Sequence, residues 1–431
     1  MIQNFINALV NMLDTVMIGR LGTVEIAAVG IGNQIFFLYN LTLFGVCSGG
    51  SIFTAQFWGK RDIPGLRKNT GFCMTLSIFV ASLFTLGAWF FPRGLIAVYT
   101  RDPAVIEAGA VYLRTLAPAF IPFGISVVLI LTLRAVEKVR LAMISTLIAL
   151  SMNGILNYLF IFGIGPFPVM GVRGASLATV IARVTETVIL ITVSYGRRYP
   201  PAGSFREMTA FTVSYVQRFL RICLPVIFNE IIWSSGITAQ NIIFGRTHTE
   251  ALAAFNITNT VSQLTWTVFM GLGNGVAVMI GKKIGERDER AARDYASRIV
   301  RFSPLVSLGA VLILYPLSMT LPLIFKVDRE VFTLINSMFI ILCCFYPFRA
   351  FNMAMVVGIC RAGGDTVFCV LYDVVVMWVV TLPLAAAASF IFRAPVWLIF
   401  LCINMEEPVK MFMGFWRLKT GKWLHHVTEG L

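Results

Sequence analysis

The sequence has 431 residues, of which 58% are hydrophobic and only 13% are charged, and its mean hydropathy is +0.81. Soluble proteins carry about 25% charged residues, so this composition indicates a polytopic membrane protein and excludes an ordinary globular enzyme. The net charge of +14 does not predict nucleic-acid binding, because the basic residues lie in short loops between apolar segments.

Twelve apolar stretches are long enough to cross a bilayer, which takes about 20 residues each. They fall into two sets of six, at residues 1–19, 24–58, 69–92, 107–133, 140–163 and 172–196, and at 218–244, 250–281, 300–324, 330–358, 366–392 and 394–416. The first stretch lacks the residues that precede its counterpart in the second set. We therefore expect the first helix to be truncated at its N-terminus.

The two sets are copies of one unit. A shift of 226 positions brings Gly19-Arg20 onto Gly245-Arg246 and gives 14 identities over residues 19–67, where ordinary residue frequencies give about three or four. Because six is an even number, both copies enter the membrane from the same side and the repeat is parallel. The prediction is an all-α polytopic membrane protein with an N-lobe (1–196), a linker (197–217), a C-lobe (218–416) and a tail (417–431).

The basic residues predict the orientation. The loops after the even-numbered helices, together with the tail, hold 23 Lys and Arg residues, and the opposite loops hold nine. Positive charge stays on the cytoplasmic side, so both termini, the linker and the tail are predicted to be cytoplasmic. This count assigns Arg361 to the loop after the tenth helix.

Two kinds of chemistry are excluded by missing motifs. Gly281-Lys282-Lys283 lacks the Ser or Thr of a phosphate-binding loop, and no H-E-x-x-H sequence is present. We predict no enzymatic activity and no cofactor, with a bound Na⁺ left open as a coupling ion. An ion gradient is the energy source that remains for a transporter.

Ionisable side chains inside apolar spans are costly and therefore indicate function. Glu230 lies midway along its helix, where transporters place coupling sites. Asp14 lies five residues before Gly19, near the outer end of the first helix. For Glu230 the alternative is a carboxylate that only hydrogen-bonds between helices, and for Asp14 it is a side chain that only caps the outer interface.

Other intramembrane charges have local explanations. Arg183 and Glu186 are three residues apart and Glu406 and Lys410 are four apart, so each pair shares a helical face and is expected to neutralise itself. Arg349 follows a proline and is expected to snorkel or to mark a helix break.

A polar patch lies in the fifth and sixth helices. Asn153 and Asn157 are four residues apart and face the same side of their helix. Their amide oxygens and the hydroxyls of Tyr158 and Thr179, together with one carboxylate, suit a sodium ion, or they hold a carboxylate whose pKa is raised by burial. Hydrogen bonding between helices is an equal alternative. Asp373 has no local partner, and its role stays open.

The sequence resembles the multidrug and toxic compound extrusion (MATE) family over almost its whole length. The first lobe carries VNMLDTVMIGRLGTVEIAAVG, QFWGKRD, LRAVEKVRLAMISTLIALSMNGILNYLFIFG and MGVRGASLATVIAR. The second lobe carries LPVIFNEIIWSSG, IGERDERAAR and ICRAGGDT, and the motifs occur in the order of the family.

The resemblance implies two six-helix lobes around a central cavity, and antiport of organic cations against sodium ions or protons. It implies a coupling role for Asp14, Asn153, Asn157, Thr179 and Glu230, although Asn157 stands where several members have Asp. The residues expected to line the substrate cavity are Gln34, Asn256, Asn352 and Asp373. The expected partners are small amphipathic or cationic molecules and the lipid bilayer, with no nucleic acid, and a monomer in the cell membrane is expected.

Three other functions fit the sequence less well. A lipid-linked saccharide flippase of the same superfamily needs a basic cavity for a pyrophosphate, and the few intramembrane Arg residues argue against it. A major-facilitator transporter has roughly the sequence G-x-x-x-D-R-x-G-R-R after its second helix. The corresponding sequence here, GKRDIPGLRK, fits this pattern poorly. A receptor or structural role does not explain acids in the middle of the membrane.

Overall fold

The structure is a computed structural model that describes residues 17–247, 249–325 and 329–429. Helices dominate these ranges, and the only β pairing within them is a single bridge between Gly364 and Leu424. The predicted all-α fold is confirmed. Asp14 and most of the predicted first helix, including its expected truncation, lie outside the described residues.

The described part of the first copy and the linker contains eight α-helices, besides the 3₁₀ turn Ala117–Ala119. They are α1 (Thr23–Gly59), α2 (Ile63–Phe90), α3 (Pro92–Ala97), α4 (Pro103–Leu116), α5 (Phe120–Ala135), α6 (Val139–Phe162), α7 (Gly171–Gly196) and the linker helix α8 (Phe205–Thr209). Local chemistry sets the ends: the Asp62 side chain caps α2, and α6 stops at Gly163, whose left-handed φ of 67° suits glycine.

Within its described residues, the second copy contains eight α-helices and three π-helical segments. They are α9 (Val213–Gly245), α10 (Thr249–Gly285), α11 (Glu289–Phe325), α12 (Arg329–Met353), π1 (Ala354–Cys360), α13 (Thr366–Val370), π2 (Leu371–Thr381), α14 (Leu382–Ala386), π3 (Ala387–Ile391), α15 (Val396–Asn404) and α16 (Glu406–Thr420). The predicted span 394–416 is divided at Met405 into α15 and α16. Pro408 explains this break, because it has no N–H to donate to the carbonyl of residue 404.

Nine helices in the described part of the chain are long and apolar enough to cross a membrane. They are Thr23–Gly59, Ile63–Phe90, Pro103–Ala135, Val139–Phe162, Gly171–Gly196, Val213–Gly245, Glu250–Gly285, Val331–Cys360 and Thr366–Ile391. Each coincides with one predicted span. The predicted spans 300–324 and 394–416 are also helical, although they are not among the nine.

The duplication is visible in the helix bounds and in the loops. Helices α1 and α10 both have 37 residues, and their ends are related by the same 226-residue shift as the sequences. After each helix an arginine, Arg61 or Arg287, has a φ of 59°. The next residue, Asp62 or Asp288, accepts a hydrogen bond from the backbone N–H three positions on, at 2.9 and 3.0 Å. The two copies therefore share backbone geometry as well as sequence.

The chain forms two compact units, each with its own core. One contains Arg61–Phe219 and the described residues up to Thr54, and the other contains Ala55–Lys60 and the chain from Leu220 onwards. In the first unit the Tyr39 ring packs on Phe120, with ring centroids 4.9 Å apart. In the second unit Phe244 and Phe255 stack at 4.2 Å. The last turn of α1 thus belongs to the unit formed mainly by the second copy.

Within the second unit the last turns of α1 and α10 meet at backbone distance. A Cβ atom built on Gly59 would lie 2.0 Å from the Lys282 carbonyl oxygen, and one built on Gly285 would lie 2.1 Å from that of Gln56. The two contacts are equivalent under the 226-residue shift. Only glycine allows this approach, because a side chain would have to displace main-chain atoms.

Residues 423–427 are also part of the core of the second unit. Trp423 is fully buried, and the chain around Leu424 bridges to Gly364. The buried Gln56 amide donates to the carbonyl oxygens of Ala362 and His425 at 3.2 and 3.1 Å, and it accepts from the Val427 N–H at 2.9 Å. Nearby, a hydrogen bond with His426 lowers the pKa of the Glu289 carboxyl. The predicted tail is therefore a packed segment.

We expect Gly285→Ala to destabilise the protein by about 1–3 kcal/mol, the usual cost of overpacking. The matched control is Gly275→Ala on the same helix, where a Cβ atom meets nothing within 4 Å and alanine raises helix propensity by about 1 kcal/mol. Thermal unfolding in detergent is the measurement. Equal apparent Tm values for the two variants would contradict the close approach.

We expect Gln56→Leu to cost about 1–3 kcal/mol, because it leaves buried backbone groups without a partner, and to expose residues 422–429 to hydrogen exchange. Mass spectrometry of the peptides from this segment measures the effect. The control is Gln263→Leu, which changes an exposed glutamine on α10. Unchanged protection in Gln56→Leu would show that Gln56 does not hold the segment.

Candidate functional site

The first unit brings together three of the predicted coupling residues. The Asn157 amide donates to the Asn153 Oδ1 at 3.4 Å, and the Asn153 amide donates to the Thr179 Oγ1 at 3.3 Å. Asn153 and Asn157 lie one turn apart on α6 and are 7% and 1% exposed, while Thr179 comes from the adjacent α7. The result is a buried line of amides and a hydroxyl. Asp14, its predicted partner, lies outside the described residues.

A buried ion pair lies elsewhere in the first unit. Arg183 Nη1 is 3.0 Å from Glu186 Oε2, as the three-residue spacing predicted. Glu186 is 1% exposed, and the Arg183 guanidinium also lies over the Phe123 ring at 4.9 Å. One acid and one base leave this pair neutral.

The second unit gives Glu230 a partner that the sequence interpretation missed. Arg361 Nη2 lies 2.7 Å from Glu230 Oε1, and the two side chains are 5% and 12% exposed. Arg361 lies in the turn after π1, which agrees with its assignment to the loop after the tenth helix. It directly follows π1, and Gly364, with a φ of 81°, lets the chain turn back there, so Arg361 stays among the helices. The A-G-G sequence after Arg361 was the available signal.

A second group of charges surrounds Lys410 on α16. Its ammonium lies 3.3 Å from Asp373 Oδ1 and 3.4 Å from Glu406 Oε2. The spacing of four residues predicted the pairing of Lys410 with Glu406. It did not predict the pairing with Asp373, which lies on π2. The Asn229 amide on α9 donates to the other Asp373 oxygen at 3.1 Å. Lys410 therefore forms ion pairs with two carboxylates.

A third group lies around Glu407. Its Oε1 atom is 3.0 Å from Arg349 Nε, and its Oε2 atom accepts from the Asn352 amide at 2.7 Å. Tyr372 donates its hydroxyl to Asn352 Oδ1, and Arg349 also donates to Asn404 at 3.0 Å. The expectation that Arg349 snorkels or marks a helix break was wrong, because α12 continues to Met353 and Arg349 is ion-paired.

The predicted cavity residues have different surroundings. Gln34 on α1 and Asn256 on α10 are exposed. Asn352 is 6% exposed, and both ends of its amide are engaged by Tyr372 and Glu407. Asp373 belongs to the Lys410 group. A role in substrate binding stays a prediction for all four.

Together these contacts form one mixed network in the second unit, which we call the charge network. It contains the carboxylates of Glu230, Asp373, Glu406 and Glu407 and the cations of Arg349, Arg361 and Lys410. Charges buried in a low dielectric are stable only when paired, and removing one partner of such a pair costs about 3–5 kcal/mol. The network can therefore gain or lose a single positive charge without leaving several of its ionised groups unpaired.

We expect Arg361→Met to destabilise the protein by about 3–5 kcal/mol, because it leaves Glu230 charged and buried. The double variant Glu230→Gln/Arg361→Met should lose much less than the sum of the single variants. Unfolding in mixed micelles measures all three. Arg93→Met is the control, since the Arg93–Glu107 pair is exposed. Additive losses would contradict the pairing of Glu230 with Arg361.

The comparisons with known proteins agree on one family. The MatE family model matches residues 1–159 and again 225–387, and the two starts are separated by nearly the 226-residue shift. A protein described as "Probable multidrug resistance protein NorM" from Mesorhizobium japonicum is 26% identical over 394 residues, covering 88% of this chain and 82% of that protein. One with the same description from Thermotoga maritima is 25% identical over 400 residues, covering 89% and 82%.

Solved structures share the fold. A structure described as the outward-facing conformation of a multidrug resistance MATE family transporter of the MOP superfamily matches with a TM-score of 0.86. The match covers 98% of this chain and 94% of that one at 18% sequence identity. The family model matches well over half of the chain, and it does so in both copies of the repeat. The chain belongs to the MatE family of multi-pass membrane transporters.

Proposed function

We propose that this protein is a cation-coupled antiporter that exports organic cations and other drugs by alternating access. In this proposal, sodium ions or protons enter the cell as the substrate leaves. The protein lies in the cell membrane as a monomer, with both termini in the cytoplasm.

The observation that carries the proposal is the extent of similarity to relatives described as multidrug resistance proteins. These proteins align over 88% and 89% of this chain, so both copies of the repeat take part. Buried carboxylates support cation coupling, because an acid kept inside an apolar helical protein is costly and is usually functional.

In the proposed mechanism the carboxylates hold the coupling ion. Glu230 contributes in the C-lobe (218–416), and Asp14 with Asn153, Asn157 and Thr179 contributes in the N-lobe (1–196). The cation changes the relative stability of the outward and inward states through its different affinity for each. Gln34, Asn256, Asn352 and Asp373 contact the substrate.

The pairing in the charge network favours an antiporter of cations over a flippase of lipid-linked saccharides. Arg349, Arg361 and Lys410 each lie within about 3.4 Å of a carboxylate of the same unit. A pyrophosphate would have to break these pairs before it could bind. A protein cation that already has an anionic partner offers little to an anionic substrate.

Ethidium accumulation in cells tests the proposal. Cells that express the protein should accumulate less ethidium than cells without it, and collapsing both the sodium and the proton gradient should remove the difference. Glu230→Gln should also remove it, at equal protein level in the membrane, whereas Glu107→Gln in the exposed Arg93 pair should not. Equal accumulation with and without gradients would sink the coupled mechanism.

A further inference from the structure

The charge network has one more carboxylate than cations. Arg361 is matched to Glu230 at 2.7 Å and Arg349 to Glu407 at 3.0 Å. Lys410 is shared between Asp373 and Glu406, at 3.3 and 3.4 Å. With all groups ionised, the described residues of the network therefore carry one excess negative charge, and it belongs to the Asp373–Glu406 pair.

This excess charge is held away from water. Glu406 and Lys410 are 7% and 5% exposed, and the Asp373 side chain is 16% exposed. The Glu406 Oε2 atom accepts no hydrogen bond within the described part of the chain. Two carboxylates that share a buried site cannot both remain ionised without strong repulsion, so the arrangement favours the binding of one positive charge.

The surroundings favour a proton over a sodium ion. The charged and titratable groups that face the pair are Glu407 beside Glu406 on α16, Tyr372 beside Asp373 on π2, Arg349 on α12, Arg361 beside π1, and Glu230 on α9 behind Arg361. A sodium ion needs a shell of several oxygen atoms and would have to lie close to the Lys410 ammonium. A proton bonds to one carboxylate oxygen and needs neither a shell nor extra space.

Asn229 can hydrogen-bond to Asp373 whether Asp373 is ionised or protonated. Asn229 is 2% exposed, its amide N–H donates to Asp373 Oδ2 at 3.1 Å, and its Oδ1 atom has no hydrogen-bond partner among the described residues. When Asp373 is protonated, a turn of the amide lets Oδ1 accept from the carboxyl O–H. The site can therefore lose and regain its proton without leaving Asp373 unpartnered.

We propose that Asp373 and Glu406, which share Lys410, form the proton-binding site of the second unit and hold one exchangeable proton between them. The inference rests on the proposed function, because it names the ion that drives the antiport. In the second unit, Asp373 then binds the proton instead of contacting the substrate, and the coupling role of Glu230 becomes a positioning role, because Glu230 keeps Arg361 neutralised. Binding of the proton makes the charge network neutral, and its release restores one negative charge.

Infrared difference spectra of the purified full-length protein, recorded between acidic and neutral pH, test the site without transport. The wild type should show the carbonyl stretch of a buried carboxylic acid at acidic pH. Asp373→Asn and Glu406→Gln should each lose this band, because the remaining carboxylate is balanced by Lys410. Lys410→Met should increase it about twofold, because two carboxylates then lack a counter-charge. Glu107→Gln, in an exposed pair, should leave it unchanged.

Absence of the band in the folded wild type would overturn the proposal, and so would a band that survives in both carboxylate variants. Folding is checked by size-exclusion chromatography, and if one variant does not fold, the other and the wild type decide. The same samples are reconstituted in liposomes of phosphatidylcholine and phosphatidylglycerol, and ethidium flux is driven by a pH or a sodium gradient. If the wild type shows the band but transports no ethidium under either gradient, only the proposed function is contradicted. If a sodium gradient alone drives ethidium flux and the band is absent, only the proton-binding site is contradicted.

Discussion

A charge buried among membrane-spanning helices must find its counter-charge inside the protein, and the second unit is arranged around that constraint. Its ionic contacts join α9, the turn after π1, π2, α12 and α16, which are far apart in the sequence. Because each contact is costly to break, these elements are held in one relative arrangement. The same compensation leaves one carboxylate in excess, so the stability of the unit and its capacity to bind a cation have a common origin.

Much of the architecture could be predicted because it depends on local or periodic signals. Apolar stretches predicted the helices, and the 226-residue shift predicted the duplication that the equal lengths of α1 and α10 reflect. Pairs within one helical turn, such as Arg183 with Glu186, followed from spacing alone. The partner of Glu230 did not, because Arg361 is 131 residues away and only the packed fold brings them together. The coupling roles of Asn153, Asn157 and Thr179 stay predictions, although the three side chains do meet.

The duplicated backbone carries different chemistry in its two copies. After α5 and π1 the correspondence becomes 227 residues, because equivalent turns join the Glu137 and Gly364 N–H groups to the carbonyls of Arg134 and Arg361. Arg361 therefore corresponds to Arg134, whereas Asp373 corresponds to Thr146. The first unit has an uncharged line of amides and a hydroxyl where α6 and α7 pack, and the second unit has an ionic network. The two copies share helices but differ in their buried polar groups.

The packed position of residues 423–427 has a consequence for how the protein is made. Gln56, at the end of α1, completes its hydrogen bonds only with Ala362, His425 and Val427, which are synthesised long after it. Domains usually fold as units in the order of synthesis, but here an early helix end must wait for a late segment. Until that segment has left the ribosome, the Gln56 side chain lacks its hydrogen-bond partners His425 and Val427. A premature stop codon before residue 423 would leave Gln56 without its hydrogen bonds to His425 and Val427 permanently.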